Sequence, residues 1–209
     1  KGAAEIIVSC FKQSYFANKD FSNRISLASV RAGNVIGGGD WAEYRLIPDC
    51  IRAIINKKPI YIRNPEAIRP WQHVLEPLSG YLWLAERMWH QPEKYSGPWN
   101  FGPTASNTIS VRELVDLVIK YWGKGEWYHT EPGGQAMHEA NLLRLDCSKA
   151  NSLLQWYPVY EIEDSIKETV EWYKRAEEID TDLFNYSVDQ IARYVGAAKL
   201  KNLKWACRN

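Results

Sequence analysis

Apolar residues recur every three to four positions along seven stretches of the chain, a spacing that predicts amphipathic α-helices. Pro48 falls in the first turn of the second stretch, where a missing backbone N–H costs little. Ser110, followed by Glu113 three residues later, forms a capping box at the start of the fourth. The predicted helices cover residues 2–18, 46–56, 74–90, 111–122, 148–154, 162–176 and 188–195.

Two of these helices carry specific expectations about packing. The helix at 2–18 is apolar on nearly all sides, so it has two faces to bury. The helix at 74–90 has a single apolar stripe at the helical period, which we expect to face the core. That stripe consists of Leu75, Leu78, Leu82, Ala85 and Trp89.

Short apolar runs bounded by Gly, Pro and Asn lie between the predicted helices and are typical of buried strands. They cover residues 25–32, 59–63, 97–103, 126–130 and 142–146. The first run leads into the glycine-rich segment 33–40, which predicts a loop. Because strands alternate with helices, the sequence predicts an α/β fold, with this loop at the carboxyl end of a parallel strand.

The amino-acid composition of the chain argues against some classes of function. The 209 residues carry 26 Lys and Arg against 25 Asp and Glu, so no overall charge attracts nucleic acid or an anionic membrane. The four histidines have no metal-binding spacing, and we expect no metal site. Cys10, Cys50 and Cys147 stand among apolar residues, which predicts reduced, buried thiols and a cytoplasmic location. Ten Trp and 12 Tyr leave open an aromatic, non-catalytic carbohydrate-binding module.

Three local motifs place a polar side chain beside Gly, Pro or an aromatic residue. Asn34 lies in RAGNVIGGGDW, Arg69 in AIRPWQH and Asn100 in PWNFGP. Glycine-rich turns let backbone N–H groups approach a phosphate, and a guanidinium pairs with phosphate oxygens through two hydrogen bonds. The three motifs together therefore predict a diphosphate clamp, although each alone is equally compatible with a structural role.

The order and spacing of these motifs resemble the nucleotide-sugar enzymes of the extended short-chain dehydrogenase/reductase family. The resemblance covers about residues 1–175, and the run IRNPEAIRPWQHVLEPLSGYL is its most specific part. It implies the last part of a Rossmann-type parallel-sheet domain, plus a smaller mixed α/β substrate-binding domain. The implied divisions are 1–37, which ends the NAD-binding domain, 38–178, which mainly binds the nucleotide sugar and includes elements that return to the NAD-binding domain, and a tail of unknown role at 179–209.

The resemblance also implies roles for individual residues. Lys1 matches the lysine of a Tyr-x-x-x-Lys pair, so the catalytic Tyr and the glycine-rich NAD fingerprint are expected upstream, in a longer protein. Lys1, Gly33, Asn34 and Val35 would contact NAD. A stretch at 137–142 lacks the arginine of related enzymes, so His138 or Asn141 is expected in its place. The implied substrate contacts are Asn34, Arg45, Leu46, Tyr61, Arg63, Arg69, Asn100, His138 and Asn141.

The implied reaction is the dehydration of CDP-glucose with NAD as cofactor, in deoxysugar synthesis for the lipopolysaccharide O-antigen. Oxidation at the sugar C4 is followed by loss of water across C5–C6 and by hydride return to C6. A homodimer is implied for the longer protein. An epimerase, or a dehydratase for another base, remains open, and Arg63-Asn64-Pro65 favours the CDP-sugar enzyme. His73, beside Trp71, is interpreted as a packing residue rather than a catalytic one.

Overall fold

A computed structural model describes residues 2–16, 25–104, 107–130 and 143–207 of the chain. These ranges contain seven α-helices, eight strands and a π-helix at Ala150–Leu154. The helices are α1 Gly2–Tyr15, α2 Leu46–Ile55, α3 Leu75–His90, α4 Pro92–Tyr95, α5 Val111–Trp122, α6 Ile162–Ala176 and α7 Leu183–Leu200. The strands are β1 Ala28–Ala32, β2 Asn34–Ile36, β3 Ile60–Ile62, β4 Ile68–Arg69, β5 Trp71–His73, β6 Gly97–Phe101, β7 Ile109–Ser110 and β8 Trp127–His129.

The strands pair two by two, and three of the four pairs are parallel. β1 pairs with β6, β2 with β5 and β3 with β8, while β4 and β7 run antiparallel. The β1–β6 ladder is the longest, with Ala28 opposite Gly97 and Ala32 opposite Phe101. Parallel pairs joined through helices are the mark of an α/β fold, so the predicted fold class is confirmed.

The main core lies between α2, α5 and α6. Leu114, Val115 and Val118 of α5 are fully buried, as their spacing predicts, and Ile166 and Val170 of α6 meet them there. The predicted capping box at the start of α5 is present, because the Ser110 hydroxyl accepts from the Glu113 N–H and the Glu113 carboxylate accepts from the Ser110 N–H. Sequence periodicity therefore identifies these elements correctly.

The predicted inner face of α3 is wrong. Leu78, Leu82 and Trp89 are 44%, 74% and 85% exposed, and the opposite side of the helix packs inward. Gly80 explains the inversion, since a Cβ there would lie 2.3 Å from the ring of Phe101. Small residues thus let the helix approach β6 closely, a possibility that a count of apolar positions ignores. The buried positions are Glu76, Pro77, Ser79, Gly80, Trp83 and Leu84.

Helix α1 has no buried residue, although its sequence predicts two buried faces. Ile6, Ile7 and Tyr15 are 73%, 57% and 70% exposed. Glu5 makes polar contacts with β1, where it accepts from the Ser29 hydroxyl at 2.8 Å and pairs with Arg31 at 3.5 Å. The helix therefore touches the rest of the described chain through few groups.

Several smaller expectations need correction. Residues 143–146 form no strand, and part of the expected 33–40 loop is instead the strand β2, which gains hydrogen bonds by pairing with β5. Cys10 is exposed, because α1 has no partner surface to cover it, whereas Cys50 is buried. Cys147 is half-buried, and all four cysteines are free. The tail helix α7 is longer than the predicted 188–195.

A buried carboxyl group ties the tail to α3. Glu76 accepts hydrogen bonds from the N–H groups of Val159 and Tyr160 at 2.9 and 2.7 Å, and from the Tyr194 hydroxyl of α7 at 2.9 Å. The same hydroxyl lies 3.0 Å from Ser79. Burial raises the pKa of Glu76 to about 7 despite these donors, because the ionised form loses its hydration.

Candidate functional site

A groove of about 870 Å³ opens beside α2, between the strands β2, β3 and β5. Its volume falls within the usual range for small-molecule sites, roughly 300–1,000 Å³. Arg45, Arg63 and Arg69 line it, together with the acidic residues Asp40 and Asp49. The described lining thus has more cationic than anionic side chains, which favours an anionic ligand.

Most of the site residues expected from the sequence meet in this groove. Those that line it are Asn34, Val35, Arg45, Leu46, Tyr61, Arg63 and Arg69. Gly33 and Asn100 are not among the lining residues. Lys1, His138 and Asn141 lie outside the described residues, so their roles stay predictions.

Asn34 reaches the groove because β2 is anchored to β5. Its N–H donates to the Pro70 carbonyl at 3.0 Å, and it is in register with Trp71. Gly33 permits this approach, since a Cβ there would lie 2.4 Å from the same carbonyl oxygen. The glycine is therefore required by strand packing, which places the amide side chain of Asn34 in the groove wall.

Arg69 is a charged residue only 8% exposed, at the end of the short strand β4. Its Nη1 donates to the Ile68 carbonyl at 2.9 Å, and this hydrogen bond restrains the guanidinium group. β4 is held by its antiparallel partner β7, where Arg69 is opposite Ile109. A guanidinium so placed binds phosphate oxygens without first losing much conformational freedom.

Arg45 stands at the N-cap of α2, as the sequence predicts, and its side chain makes no capping hydrogen bond. Its guanidinium instead pairs with Asp40 at 3.0 Å in an exposed ion pair of the kind that contributes little to stability. Leu46 and Ile47 of the first turn line the groove. The positive end of the α2 dipole therefore faces the groove, where it favours an anion.

Tyr61 and Arg63 line the groove from β3 and the residue that follows it. β3 buries Ile60 and Ile62 and leaves Tyr61 between them 63% exposed. The Tyr61 ring lies 6.4 Å, centre to centre, from that of Tyr128 on the paired strand β8. An exposed aromatic ring beside an arginine offers a stacking surface and a hydrogen-bond donor to a planar ligand.

Side chains rest on the glycines of the 33–40 segment, where the sequence predicts an open phosphate cradle. A Cβ at Gly37 would lie 2.8 Å from Val74, and one at Gly38 only 2.1 Å from the ring of Trp172. Gly39 adopts a left-handed φ of 81° beneath the same ring. Close packing or a left-handed φ therefore accounts for glycine at these positions, and a phosphate contact through the N–H of Gly37, which lines the groove, stays a prediction.

Asn100 is the second departure from the expected clamp. Its Nδ2 donates to the Asp146 carbonyl at 2.9 Å, tying β6 to the segment before the π-helix. Its Oδ1 is buried without a hydrogen-bond partner among the described residues. Asn100 lies opposite Arg31 on β1, away from the strands that frame the groove, because the chain reaches the groove only after β1 ends.

His73 is a packing residue, as its sequence context indicates. It is 2% exposed and meets the Tyr160 ring edge-on at 5.8 Å. Its Nδ1 accepts from the Leu75 N–H at 3.4 Å. Burial lowers the pKa of His73 to about 4, so the ring is neutral. The described residues include no cluster of three or more potential metal ligands.

Several groove residues were not expected from the sequence, and Trp71 and Thr130 are two of them. The indole Nε1 of Trp71 is buried and has no hydrogen-bond partner among the described residues. Its position between Pro70 and Gln72, inside the most specific motif, was a signal that could have identified it. Thr130 follows β8 and reaches the groove because its N–H donates to the Ile62 carbonyl at 2.9 Å.

Comparison with solved structures identifies the class of fold. The chain superimposes on UDP-glucuronic acid 4-epimerase from Bacillus cereus, solved with UDP-glucuronic acid and NAD, with a TM-score of 0.68 and 17% identity, covering 84% of this chain and 51% of that one. dTDP-glucose 4,6-dehydratase from Bacillus anthracis, solved with NAD, gives 0.66 and 20%, covering 85% and 51%. The chain therefore has the Rossmann-type fold of the nucleotide-sugar epimerases and dehydratases, as predicted.

A relative of known sequence is more similar. The chain is 46% identical over 175 residues to CDP-glucose 4,6-dehydratase of Salmonella typhimurium, a match that covers 83% of this chain and 48% of that protein. The resemblance inferred from the motifs is thereby confirmed. The chain spans about half the length of the relatives it matches. No family model matches it. The β-sandwich required for the carbohydrate-binding alternative is excluded by the α/β fold.

Proposed function

We propose that this chain supplies the nucleotide-sugar-binding part of an NAD-dependent dehydratase that converts CDP-glucose to CDP-4-keto-6-deoxyglucose. The observation that carries the proposal is the groove. It gathers seven of the predicted contact residues, in a chain 46% identical to CDP-glucose 4,6-dehydratase. The deoxysugar product suits O-antigen synthesis in the cytoplasm. The described residues contain no helix with the length and apolar character needed to cross a membrane.

The groove divides into a phosphate end and a base end. Arg69, Asn34 and the first turn of α2 hold the diphosphate, because together they present a guanidinium fork, an amide and a helix dipole. Arg45 joins them from its position beside Asp40, with which it pairs at 3.0 Å. Asn100 remains a predicted phosphate contact, although its Nδ2 is already bonded to Asp146.

Tyr61 and Arg63 bind the cytosine at the base end, where Tyr61 stacks on the ring and Arg63 donates to its carbonyl oxygen. The 63% exposure of Tyr61 leaves its ring accessible to a ligand. An epimerase or a dehydratase for another base would use the same phosphate end. Discrimination therefore depends on the segment from Tyr61 to Asn64.

The expected NAD contacts among the described residues are Gly33, Asn34 and Val35, which are consecutive in the chain. Val35 is 39% exposed and lines the groove beside Asn34, where it offers apolar surface to a nicotinamide ring. Gly33 lets β2 pack against Pro70 and so places both residues. Bound NAD would supply the hydride acceptor for oxidation at the sugar C4 and the hydride donor for reduction at C6. This chain's part is to hold the sugar with C4 towards these residues and to limit the access of water.

Lys1 is proposed to act beside NAD as the lysine of the Tyr-x-x-x-Lys pair. Its ammonium would lower the pKa of the tyrosine hydroxyl, which takes the proton from the C4 hydroxyl group. Lys1→Met in a protein that carries the tyrosine should cut turnover by roughly 10²–10⁴, the usual contribution of acid–base catalysis. Binding of CDP should persist, because the groove is unchanged. Near-normal turnover would overturn this assignment.

The remaining proposals concern organisation. Residues 1–37 are assigned to an NAD-binding domain and 38–178 mainly to the nucleotide-sugar region, with elements that return to the NAD-binding domain. Most groove residues lie after residue 37, and β6 pairs with β1, which supports this assignment. The exposed apolar residues of α1 support a homodimer contact, since patches of this kind mark interaction sites.

Turnover of defined substrates tests the proposed function. The whole protein encoded by the gene is incubated with NAD and with CDP-glucose, UDP-glucose or dTDP-glucose, and the 4-keto product and any C4 epimer are measured. We expect the 4-keto-6-deoxy product from CDP-glucose, at least tenfold faster than from the other two. A C4 epimer as the main product, or preference for another base, would contradict the proposal.

A further inference from the structure

The tail helix α7, for which the sequence gives no role, is firmly attached to α6. The Gln190 side chain donates to both the carbonyl and the carboxylate of Glu168, at 2.8 and 2.9 Å. Arg193 pairs with the same carboxylate at 2.8 Å. Together with the Tyr194–Glu76 bond, these contacts hold α7 at a fixed position on the body of the protein.

One contact between the two helices has a defined direction. The indole Nε1 of Trp172, on α6, donates to the Ser187 hydroxyl of α7 at 3.0 Å. The Ser187 hydroxyl donates its own proton to the Leu183 carbonyl, four residues earlier, at 2.7 Å. Since the hydroxyl proton is used there, the oxygen lone pair is left for the indole, and the Trp172 ring is held in one orientation.

The held ring covers the glycine-rich segment beside the groove. A Cβ at Gly38 would lie 2.1 Å from both Cγ and Cδ2 of Trp172, and one at Gly39 would lie 3.5 Å from Cη2. The ring thus rests directly on the backbone of these two residues. Any movement of the ring must therefore move the segment or leave a gap beneath it.

The next residue of α6 extends this contact to the groove itself. The Tyr173 hydroxyl donates to the Asp40 carbonyl, and its ring meets Trp41 edge-on at 5.0 Å. The Asp40 carboxylate accepts from the Ala42 N–H at 3.0 Å and from Arg45 at 3.0 Å. The position of Arg45 in the groove therefore depends on where α6 holds the segment from Gly38 to Asp40.

From this chain of contacts we propose that Trp172 is a positioning residue for the nucleotide groove, and that the tail acts on the groove through it. Ser187 fixes the ring, the ring fixes Gly38 and Gly39, and these fix Asp40 and with it Arg45. Trp172 is not among the described residues that line the groove, so it acts only through the segment that it covers. The inference rests on the proposed function for its ligand, a nucleoside diphosphate.

The test compares Ser187→Ala and Trp172→Phe with Ser96→Ala in the full chain. Ser96 is a matched control, because its half-buried hydroxyl also donates to a carbonyl four residues earlier, at 2.8 Å, but accepts no indole proton in the structure. Two quantities are measured: the dissociation constant for CDP, and the amide exchange of a peptide spanning 37–45, which contains the Ala42 N–H.

We expect Ser187→Ala to weaken CDP binding by about twofold to tenfold, which corresponds to the loss of one hydrogen bond, and to speed exchange in 37–45. Trp172→Phe should do the same, and Ser96→Ala should change neither quantity. In the Trp172→Phe background Ser187→Ala should have no further effect on binding, since no indole remains to hold. A merely structural role would lower the free energy of unfolding without altering CDP affinity.

Two results would overturn the inference. One is unchanged exchange in 37–45 for both Ser187→Ala and Trp172→Phe. The other is an effect of Ser187→Ala that persists undiminished in the Trp172→Phe background. If the unaltered chain bound no CDP, the proposed function would fail instead, while the exchange measurements would still decide whether the tail positions the segment.

Discussion

Beneath the groove the apolar side chains of α2, α5 and α6 are buried, whereas helix α1 and strand β1 leave theirs in contact with solvent. Ile51, Leu114 and Ile166 are fully buried, while Ile7 is 57% and Val30 38% exposed. β1 pairs with β6 along one edge, and its other edge has no strand partner among the described residues. Both regions are rich in apolar side chains, but only those of α2, α5 and α6 are covered by other described residues.

This difference separates what the chain can do by itself from what needs a further surface. The described groove contacts come from elements packed around a common core, so we expect nucleotide binding to be a property of the chain. The α1–β1 region has the apolar side chains for an interface but buries none in α1. We therefore expect NAD binding and self-association to depend on surfaces that α1 and β1 would contact.

The largest expected effect is the difference in stability between matched truncations in the two regions. Leu114→Ala should lower the free energy of unfolding by about 2–5 kcal/mol, since it leaves a cavity in a fully packed site. Ile7→Ala should change it by less than about 0.5 kcal/mol, because the side chain is already in water. Urea denaturation measures both, and comparable losses would contradict the contrast between the regions.

Ligand binding should separate the regions in the same way. No G-x-x-G-x-x-G motif follows a predicted strand, and the NAD contacts expected among the described residues are Gly33, Asn34 and Val35. Calorimetry should therefore find CDP binding to the chain at least about 100-fold tighter than NAD binding, roughly 2.7 kcal/mol. Micromolar NAD binding by the chain alone would show that the α1–β1 region needs no further surface.

Two buried titratable groups should make opposite contributions to the pH dependence of the free energy of unfolding. Burial raises the pKa of Glu76 from 4.5 to about 7, so between those values the folded chain keeps a proton that the unfolded chain loses, and stability falls as pH rises. Burial lowers the pKa of His73 from 6.5 to about 4, so stability rises with pH there. The two effects oppose each other between pH 4.5 and 6.5.

Glu76→Gln should remove the first effect and leave the second. The free energy of unfolding of the variant should then rise by about 2–3 kcal/mol from pH 4.5 to 6.5, at about 1.36 kcal/mol per unit, while the unaltered chain changes little. Denaturation at the two pH values checks this. If the free energy of unfolding of the variant changed as little between the two pH values as that of the unaltered chain, the two groups would not titrate as their burial implies.

Self-association should respond to α1 alone. Ile7→Lys places a charge in the exposed apolar surface of α1 and should weaken any dimer by tenfold or more, which corresponds to about 1.4 kcal/mol. Ile179→Lys is the control, because Ile179 is 92% exposed but lies far along the chain from α1. Sedimentation at tens of micromolar gives the association constants. An equal loss in both variants, or a monomer throughout, would count against α1 as the contact.

Much of the fold could be predicted because local patterns agree with it. The bounds of α6 were predicted to the residue, and the capping box of α5 is formed as its sequence indicates. The groove residues Asn34 and Arg69 could be predicted because the motifs that contain them are short and continuous, whereas Tyr61 was expected only from the family resemblance. Information of this kind lies within a few neighbouring residues, so periodicity and motif order recover it.

The parts that could not be predicted depend on contacts between distant residues. Gly38 is a glycine because Trp172, well over a hundred positions later, rests on it. α3 presents Leu82 to solvent because Gly80 admits Phe101 from another element. Asn100 was expected among the phosphate-binding residues, yet it lies on β6, a strand that does not border the groove. Local sequence patterns contain no information about contacts between residues that are so far apart in the chain.

The most direct measurement of the central claim is the affinity of the chain for CDP when Arg69 is removed. Arg69→Ala is compared with Arg112→Ala, because Arg112 is an arginine 50% exposed in its side chain that pairs with Glu66 outside the groove lining. We predict that Arg69→Ala weakens CDP binding by about 1.5–3 kcal/mol, the contribution of a charged hydrogen bond, and that Arg112→Ala leaves it unchanged. Amide exchange in α5 confirms that both variants are folded. Equal affinities for the two folded variants would contradict a nucleotide site in this groove.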